Sequence, residues 1–352
     1  MEKYRIDTNK GLEFGLYSIG DYLANPHTGT IISPEQRIRE LIEASKLADE
    51  AGLDVFAVGE SHQAHFTTQA HTVILGAIAQ ATNNIKIASS ATVLSTSDPV
   101  RVYEDFATID LISNGRAEIV AGRGSRVGAY SLLGYDVHDY EELFEEKIEL
   151  LMKLNNEKKV TWEGQFRAPL NNATILPQPL NGHMPIWRAV GGPPSSAIKA
   201  GYVGVPMMLT TLGGPAINFK GSVDAYRETA AQRGFDPAML PIATTSLFYT
   251  AANSQDALRE YYPHINTGMQ ALRGGGYPKQ QFAQSTDYRD ALMIGSPQQM
   301  IEKMLYQYEL YGQQRFMAQI DFGGVPFDKI AKNIELIATE IMPAIKKHTA
   351  KK

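Results

Sequence analysis

From residue 13 to residue 324, short apolar runs alternate with stretches whose apolar residues recur every three or four positions. Neighbouring parallel strands need a long crossover, and a helix with one apolar face supplies it. The alternation therefore reads as repeated βα units. The first run is Glu13–Ile19, EFGLYSI. In the SPEQ that follows, Ser33 is placed to cap a helix, Pro34 to take its first position and Gln36 to complete a capping box. Ile38, Leu41, Ile42, Ser45 and Ala48 then mark one buried face, until Gly52 supplies a left-handed stop.

The unit repeats. Strand-like runs occupy 54–61, 85–93, 117–124, 185–192, 204–210, 242–250 and 316–324, which with the first makes eight. Helices are expected over 72–82, 98–113 (opened by Asp98 and Pro99) and 139–154, and residues 160–169 look like a short excursion of strands. Eight strands with intervening helices fit a single α/β domain over residues 1–352, a closed (β/α)8 TIM barrel, for which about 250 residues are typical. Roughly 100 residues beyond that minimum must sit in loops at the C-terminal face of the strands. The candidates are 155–184 and 251–292, the second polar and Gly-rich around ALRGGGYPKQQFAQS.

Composition removes several function classes. A net charge of −5, with the only basic cluster in the tail KKHTAKK, leaves no electrostatic footprint for nucleic acid, and that tail reads as solvated and frayed. There are no cysteines, which excludes disulfides and thiolate chemistry. No apolar run is long enough for a membrane span and no secretory signal is visible, so a cytoplasmic location is expected.

In a TIM barrel, the site is built from strand ends and the loops after them. Here those ends carry Glu60, Ser61 and His62; Ser90 and Ala91; Gly122, Arg123, Gly124 and Ser125; Trp187, Arg188, Gly191 and Gly192; and Asp321. So many small residues would let a large flat ligand lie against main chain. IVAGRGSRVG (119–128) looks like a dinucleotide loop, but it comes a third of the way along the chain and no apolar-periodic helix follows it. GGPPSSAIKAG (191–201) opens a helix whose free N–H groups would suit a phosphate; an ordinary capped helix reads the same way. His62, His65 and His71 lack a further ligand at convincing spacing, so no metal site is expected. His62 can serve as an acid or base or as a structural histidine. Trp187 and Arg188 can cover a ligand or pack at the barrel mouth, and Asp321 can simply cap the Gly–Gly turn after it.

The run IKIASSATVLSTSDPVRVYEDFATIDLISNGRAEIVAGRGS (85–125) strongly resembles the bacterial luciferase-like flavin-dependent monooxygenases. GLDVFAVGESH (52–62), VTWEGQFR (160–167), PIWRAVGG (185–192), IGSPQQM (294–300) and QIDFGGVPF (319–327) extend the likeness in the same order. The resemblance implies a TIM barrel, usually a homodimer, that binds reduced FMN at the strand ends. A separate NAD(P)H:flavin reductase would deliver the flavin, and its 4a-hydroperoxide would oxygenate a small organic substrate. It further implies a non-proline cis peptide at Ser90–Ala91, with Gly122 and Ser125 beside the cofactor. Arg123 falls on the family's phosphate arginine, and Gly191, Gly192 and Ser195 on its phosphate turn. Glu60 and His62 match two members of a Glu–His–His stretch with catalytic roles. Ser61 replaces the first of its histidines, and Gly122 replaces a cysteine beside the ring, which would open space there. Light emission is therefore not expected. Two rivals stay open: hydride transfer with a deazaflavin coenzyme, and a non-catalytic flavin-binding barrel. A pocket filled by Trp187 or by 251–292 would favour the second. Otherwise 251–292, with a hinge at Gly274–Gly276, is a candidate lid.

Overall fold

Eight strands follow from the apolar runs: β1 (Glu13–Ser18), β2 (Val55–Val58), β3 (Lys86–Ser89), β4 (Ala117–Gly122), β5 (Ile186–Val190), β6 (Met207–Thr210), β7 (Ile242–Thr250) and β8 (Arg315–Gln319). A computed structural model describes residues 1–124, 128–191 and 193–351. Each strand lies parallel to the next, and β8 returns to pair with β1, Gly15 standing opposite both Val55 and Met317. The ring is closed, as the count of βα units predicts. Its interior is filled by side chains: a Cβ added at Gly15 would come within 2.5 Å of Met317 Sδ, so only glycine fits there. The floor carries charge. Arg315 is fully buried and donates to Glu13 (2.8 Å) and Glu118 (2.6 and 3.1 Å), while Trp187 Nε1 donates to Glu118 at 3.0 Å.

The helices used below are α1 (Pro34–Glu50), α2 (His71–Ala81), α3 (Pro99–Ile112), α4 (Tyr140–Asn156), α5 (Pro194–Val203), α6 (Lys220–Gln232), α7 (Ser254–Arg273), α8 (Pro297–Tyr311) and α9 (Phe327–Leu336). Ser33 caps α1 as expected, accepting from Gln36 N at 3.1 Å, but the Gln36 amide donates to Glu40 instead of closing a capping box. Asp98 caps α3 by accepting from Val100 N at 2.8 Å. Gly52, at φ +75°, follows the end of α1.

Two expectations are corrected. Residues 251–292 are mainly helical rather than a loop: α7 spans 20 residues, started by Asn253 accepting from Asp256 N and stopped by Gly274 at φ +72°. Its Ala257, Tyr261, His264, Ile265, Gly268 and Met269 are buried. Most of the tail is helical too: a helix over Met342–Thr349 buries Ile345 and Thr349, and Leu12 N donates to Thr349 Oγ1 at 2.7 Å beneath the barrel. The other insertion, 155–184, contains the expected excursion, an antiparallel pair of Val160–Trp162 with Leu170–Ala173. Among the described residues, no helix is long and apolar enough to cross a membrane.

Candidate active site

A cavity of about 520 Å³ opens at the C-terminal ends of the strands. One side is walled by Glu60–His62, Ser90, Ala91, Gly122–Gly124 and Ala189–Gly191, the other by residues of β1, β6, β7, β8 and α7. Most of the strand-end residues singled out in the sequence thus meet around one space. Ser125 and Gly192 lie outside the described residues.

Glu60 holds one wall together. Its backbone N–H donates to Ala91 O (2.9 Å) and its Oε2 accepts from Val93 N (2.8 Å), so the residue after β2 staples the segment after β3. The Ser90–Ala91 peptide within that segment is cis, as the resemblance implied. The other carboxylate oxygen, Oε1, is hydrogen-bonded to His62 Nε2 at 2.6 Å, and both side chains are nearly buried. Burial raises the Glu60 pKa, and the bonds from His62 and Val93 N only partly offset it. Behind them, His71 Nδ1 stands 3.7 Å from Glu60 Oε2 while its Nε2 bonds Thr92 Oγ1 at 2.8 Å. Burial, and next the charge on His62, push His71 down to about 3, so it is neutral at physiological pH. His62 and Glu60 therefore form a nearly buried dyad facing the cavity, with a neutral histidine packed behind it. Among the described residues, no group of histidine, cysteine and carboxylate side chains is arranged to hold a metal.

Gly122 does not simply open space. A Cβ there would sit 2.9 Å from the Ala91 methyl, so the absent side chain lets the β3 segment close in on β4. Arg123 projects from the end of β4, ion-paired to Glu141 of α4, lying over the Tyr140 ring (5.3 Å) and reaching Ser196 Oγ at 3.5 Å. Lys199, one turn into α5, bonds Glu141 (2.8 Å) and Glu145 (3.1 Å). Burial would raise the Glu141 carboxyl, but the bonds from Lys199 and the charge of Arg123 hold it below its usual range. The first turn of α5 has no side-chain cap. The serine facing Arg123 is the buried Ser196; Ser195, expected from the sequence, is exposed. Ser196 belongs to the helix start at 191–201 read as suited to a phosphate, where Ser195 was chosen; Tyr140, Glu141 and Lys199 went unnoticed in the sequence. A signal existed for one pair only: Glu141 and Glu145, four apart on one helical face.

Three side chains left open by the sequence are placed outside the cavity. Trp187 is fully buried in the barrel floor against Glu118 and Arg315. Arg188 is bound to Glu145 (2.5 and 2.9 Å) over the Phe144 ring. Asp321 is ion-paired to Arg37 and accepts from Ser18, whereas the Gly–Gly turn is capped by Asp21, which accepts from Gly323 N (3.1 Å) and Gly324 N (3.0 Å).

The luciferase-like monooxygenase family model matches residues 13–314. The chain belongs to this family. Members of the luciferase-like monooxygenase family are oxidoreductases, mainly monooxygenases, and relatives use either flavin or the deazaflavin F420. The oxygenase component of a flavin-dependent trigonelline monooxygenase from Acinetobacter baylyi is 24% identical, the match covering 88% of this chain and 90% of that one. An F420-dependent glucose-6-phosphate dehydrogenase of Segniliparus rotundus is 27% identical, over 47% of this chain and 50% of its own. The crystal structure of the monooxygenase RslO1 from Streptomyces bottropensis superposes with a TM-score of 0.83 at 22% identity, covering 94% of this chain and 99% of that one. That likeness extends the family's barrel to this chain.

Proposed function

We propose that this chain is the oxygenase of a two-component system, a cytoplasmic homodimer. It would use reduced FMN from a separate reductase, together with oxygen, to oxygenate a small organic substrate. The observation that carries the reading is a wall of main chain and small side chains ending at a cationic corner. Ser90, Ala91, Gly122, Gly124 and Ala189 present only small side chains or main chain on it, and among the described residues a Cβ added at Gly191 would meet no atom within 4 Å. Arg123, Ser196 Oγ and the uncapped start of α5 supply donors suited to a phosphate. A flat ring with a phosphate tail fits this donor set.

Bound reduced flavin would supply the electrons that activate oxygen. The chain's own work is then positional. Arg123 and Ser196 would hold the phosphate, with Lys199 taking up Glu141 when Arg123 turns to the ligand. His62 Nε2, bonded to Glu60, can hold or deliver a proton at the cavity wall. Met269 and Leu272 of α7 line the far side and exclude water. The sequence match to a flavin-dependent oxygenase component covers 88% of this chain, against 47% for an F420-dependent dehydrogenase, and supports oxygen chemistry over hydride transfer. Val73, Leu111 and Ile112, exposed apolar side chains on the neighbouring α2 and α3, support the pairing of two copies.

An anaerobic titration with reduced FMN, followed by admission of oxygen, tests the reading. Binding is expected, with reoxidation slower than that of free flavin, and light scattering on the same preparation should return the mass of two chains. Arg123→Ala should weaken binding at least tenfold. Reoxidation at the free-flavin rate, or unchanged binding in the variant, would remove the assignment; binding of a deazaflavin with no effect of oxygen would replace it by hydride transfer.

A further inference from the structure

The half of the cavity facing Gly122–Gly124 is apolar: Leu212, Leu247, Met269, Leu272 and Phe322 form it. Besides Tyr17, Thr210 and Thr245, two polar groups interrupt that surface. Gln319, at the end of β8, is only 4% exposed, and among the described residues its Nε2 has no hydrogen-bond partner. At the opposite extreme of exposure, Arg273 in the last turn of α7 lines the same cavity. Among the described residues it makes no hydrogen bond, ion pair or ring contact, whereas Arg123, the other cavity arginine, is held by Glu141. Glu60, a carboxylate on the wall, is already committed to His62 and Val93 N. The outer half thus offers an apolar body, one unsatisfied donor further in and one unsatisfied cation at the mouth. A few well-placed polar groups in an apolar cavity set ligand orientation, and a guanidinium beside apolar walls favours a planar carboxylate.

We propose that the substrate is an organic acid, an apolar body whose carboxylate pairs with Arg273 and which presents an oxygen acceptor to Gln319 Nε2. The inference rests on the flavin reading above only in leaving this half of the cavity to the substrate.

Calorimetric binding to the purified protein, with and without oxidised FMN, tests it. The probes are butanoate, hexanoate, octanoate and phenylacetate, each compared with its amide. At least one acid should bind tenfold or more tightly than its amide. Arg273→Gln should abolish that preference and Arg273→Lys should retain part of it, with FMN affinity unchanged in both. No acid preferred over its amide, a preference that survives Arg273→Gln, or an FMN affinity that falls with Arg273→Gln would each overturn the proposal. Failure of reduced FMN to bind in the anaerobic titration, with the acid preference intact, would instead sink the flavin reading alone.

Discussion

At the scale of single residues, the site works by committing its charges. Glu60 spends one oxygen on Val93 N and the other on His62, and burial, then the charge on His62, keep His71 behind it neutral. His71 carries a pH signature. Its folded pKa of about 3 lies below the ordinary value of 6.5, so the unfolded chain takes up a proton that the folded one refuses. That contribution is fully favourable above about 6.5 and is lost as pH falls toward 3, costing on the order of a few kcal/mol. Asp21 acts oppositely: burial raises it to about 6, so it gains stability as pH falls through the same range. Comparing His71→Gln with the parent isolates the first effect. The parent's advantage in urea midpoint at pH 7 should shrink at pH 5; a constant gap would show that the burial of His71 does not govern its protonation. Glu60, His62 and Arg123 were legible because strand-end positions in a barrel point at the site. Ser196 was not, because each step along a helix turns the side chain by about 100°, and choosing between two adjacent serines needs the orientation of α5.

At the scale of elements, α7 is where reading by pattern failed. The polar, Gly-rich run ALRGGGYPKQQFAQS dominates the stretch, so a loop was expected; Pro263 removes one backbone N–H and Gly268 weakens helix propensity besides. The helix forms because Ala257, Tyr261, His264, Ile265, Gly268 and Met269 share a buried face, and tertiary burial outweighs propensity. Gly268 is part of that fit: a Cβ there would lie 2.4 Å from the Phe322 ring. Gly268→Leu should therefore cost about 1–3 kcal/mol by overpacking. It should also displace Phe322 and Met269 from the cavity wall, weakening binding of apolar probes while leaving the Arg123 corner intact. Denaturant melts and probe binding check both halves; a variant as stable as the parent would mean that α7 shifts freely. The capped helices α1 and α3 and the eight strands were readable because each depends on local chemistry or a short period.

At the scale of the whole molecule, the barrel floor carries a buried ion cluster alongside its apolar packing. Burial alone would raise the Glu118 carboxyl, but the Arg315 charge and hydrogen bonds outweigh it and hold it below its ordinary value. Arg315→Met would leave Glu118 buried without its main partner, which typically costs 3–5 kcal/mol. Adding Glu118→Gln should recover part of that loss in a double-mutant cycle, and strict additivity would dissolve the pairing. The count of strands was legible in the sequence; this floor was not, because Glu13, Glu118 and Arg315 are brought together only by closure of the ring. That closure also orders events in time. β8, which completes the ring against β1 and β7, is the last barrel strand to leave the ribosome. Until it emerges, β1 and residues 243–247 of β7 lack the strand that covers their backbone edges, which another chain could pair with. During synthesis, then, the molecule is most open to aggregation just before residues 315–319 appear, and the bond from Leu12 to Thr349 seals it only afterwards.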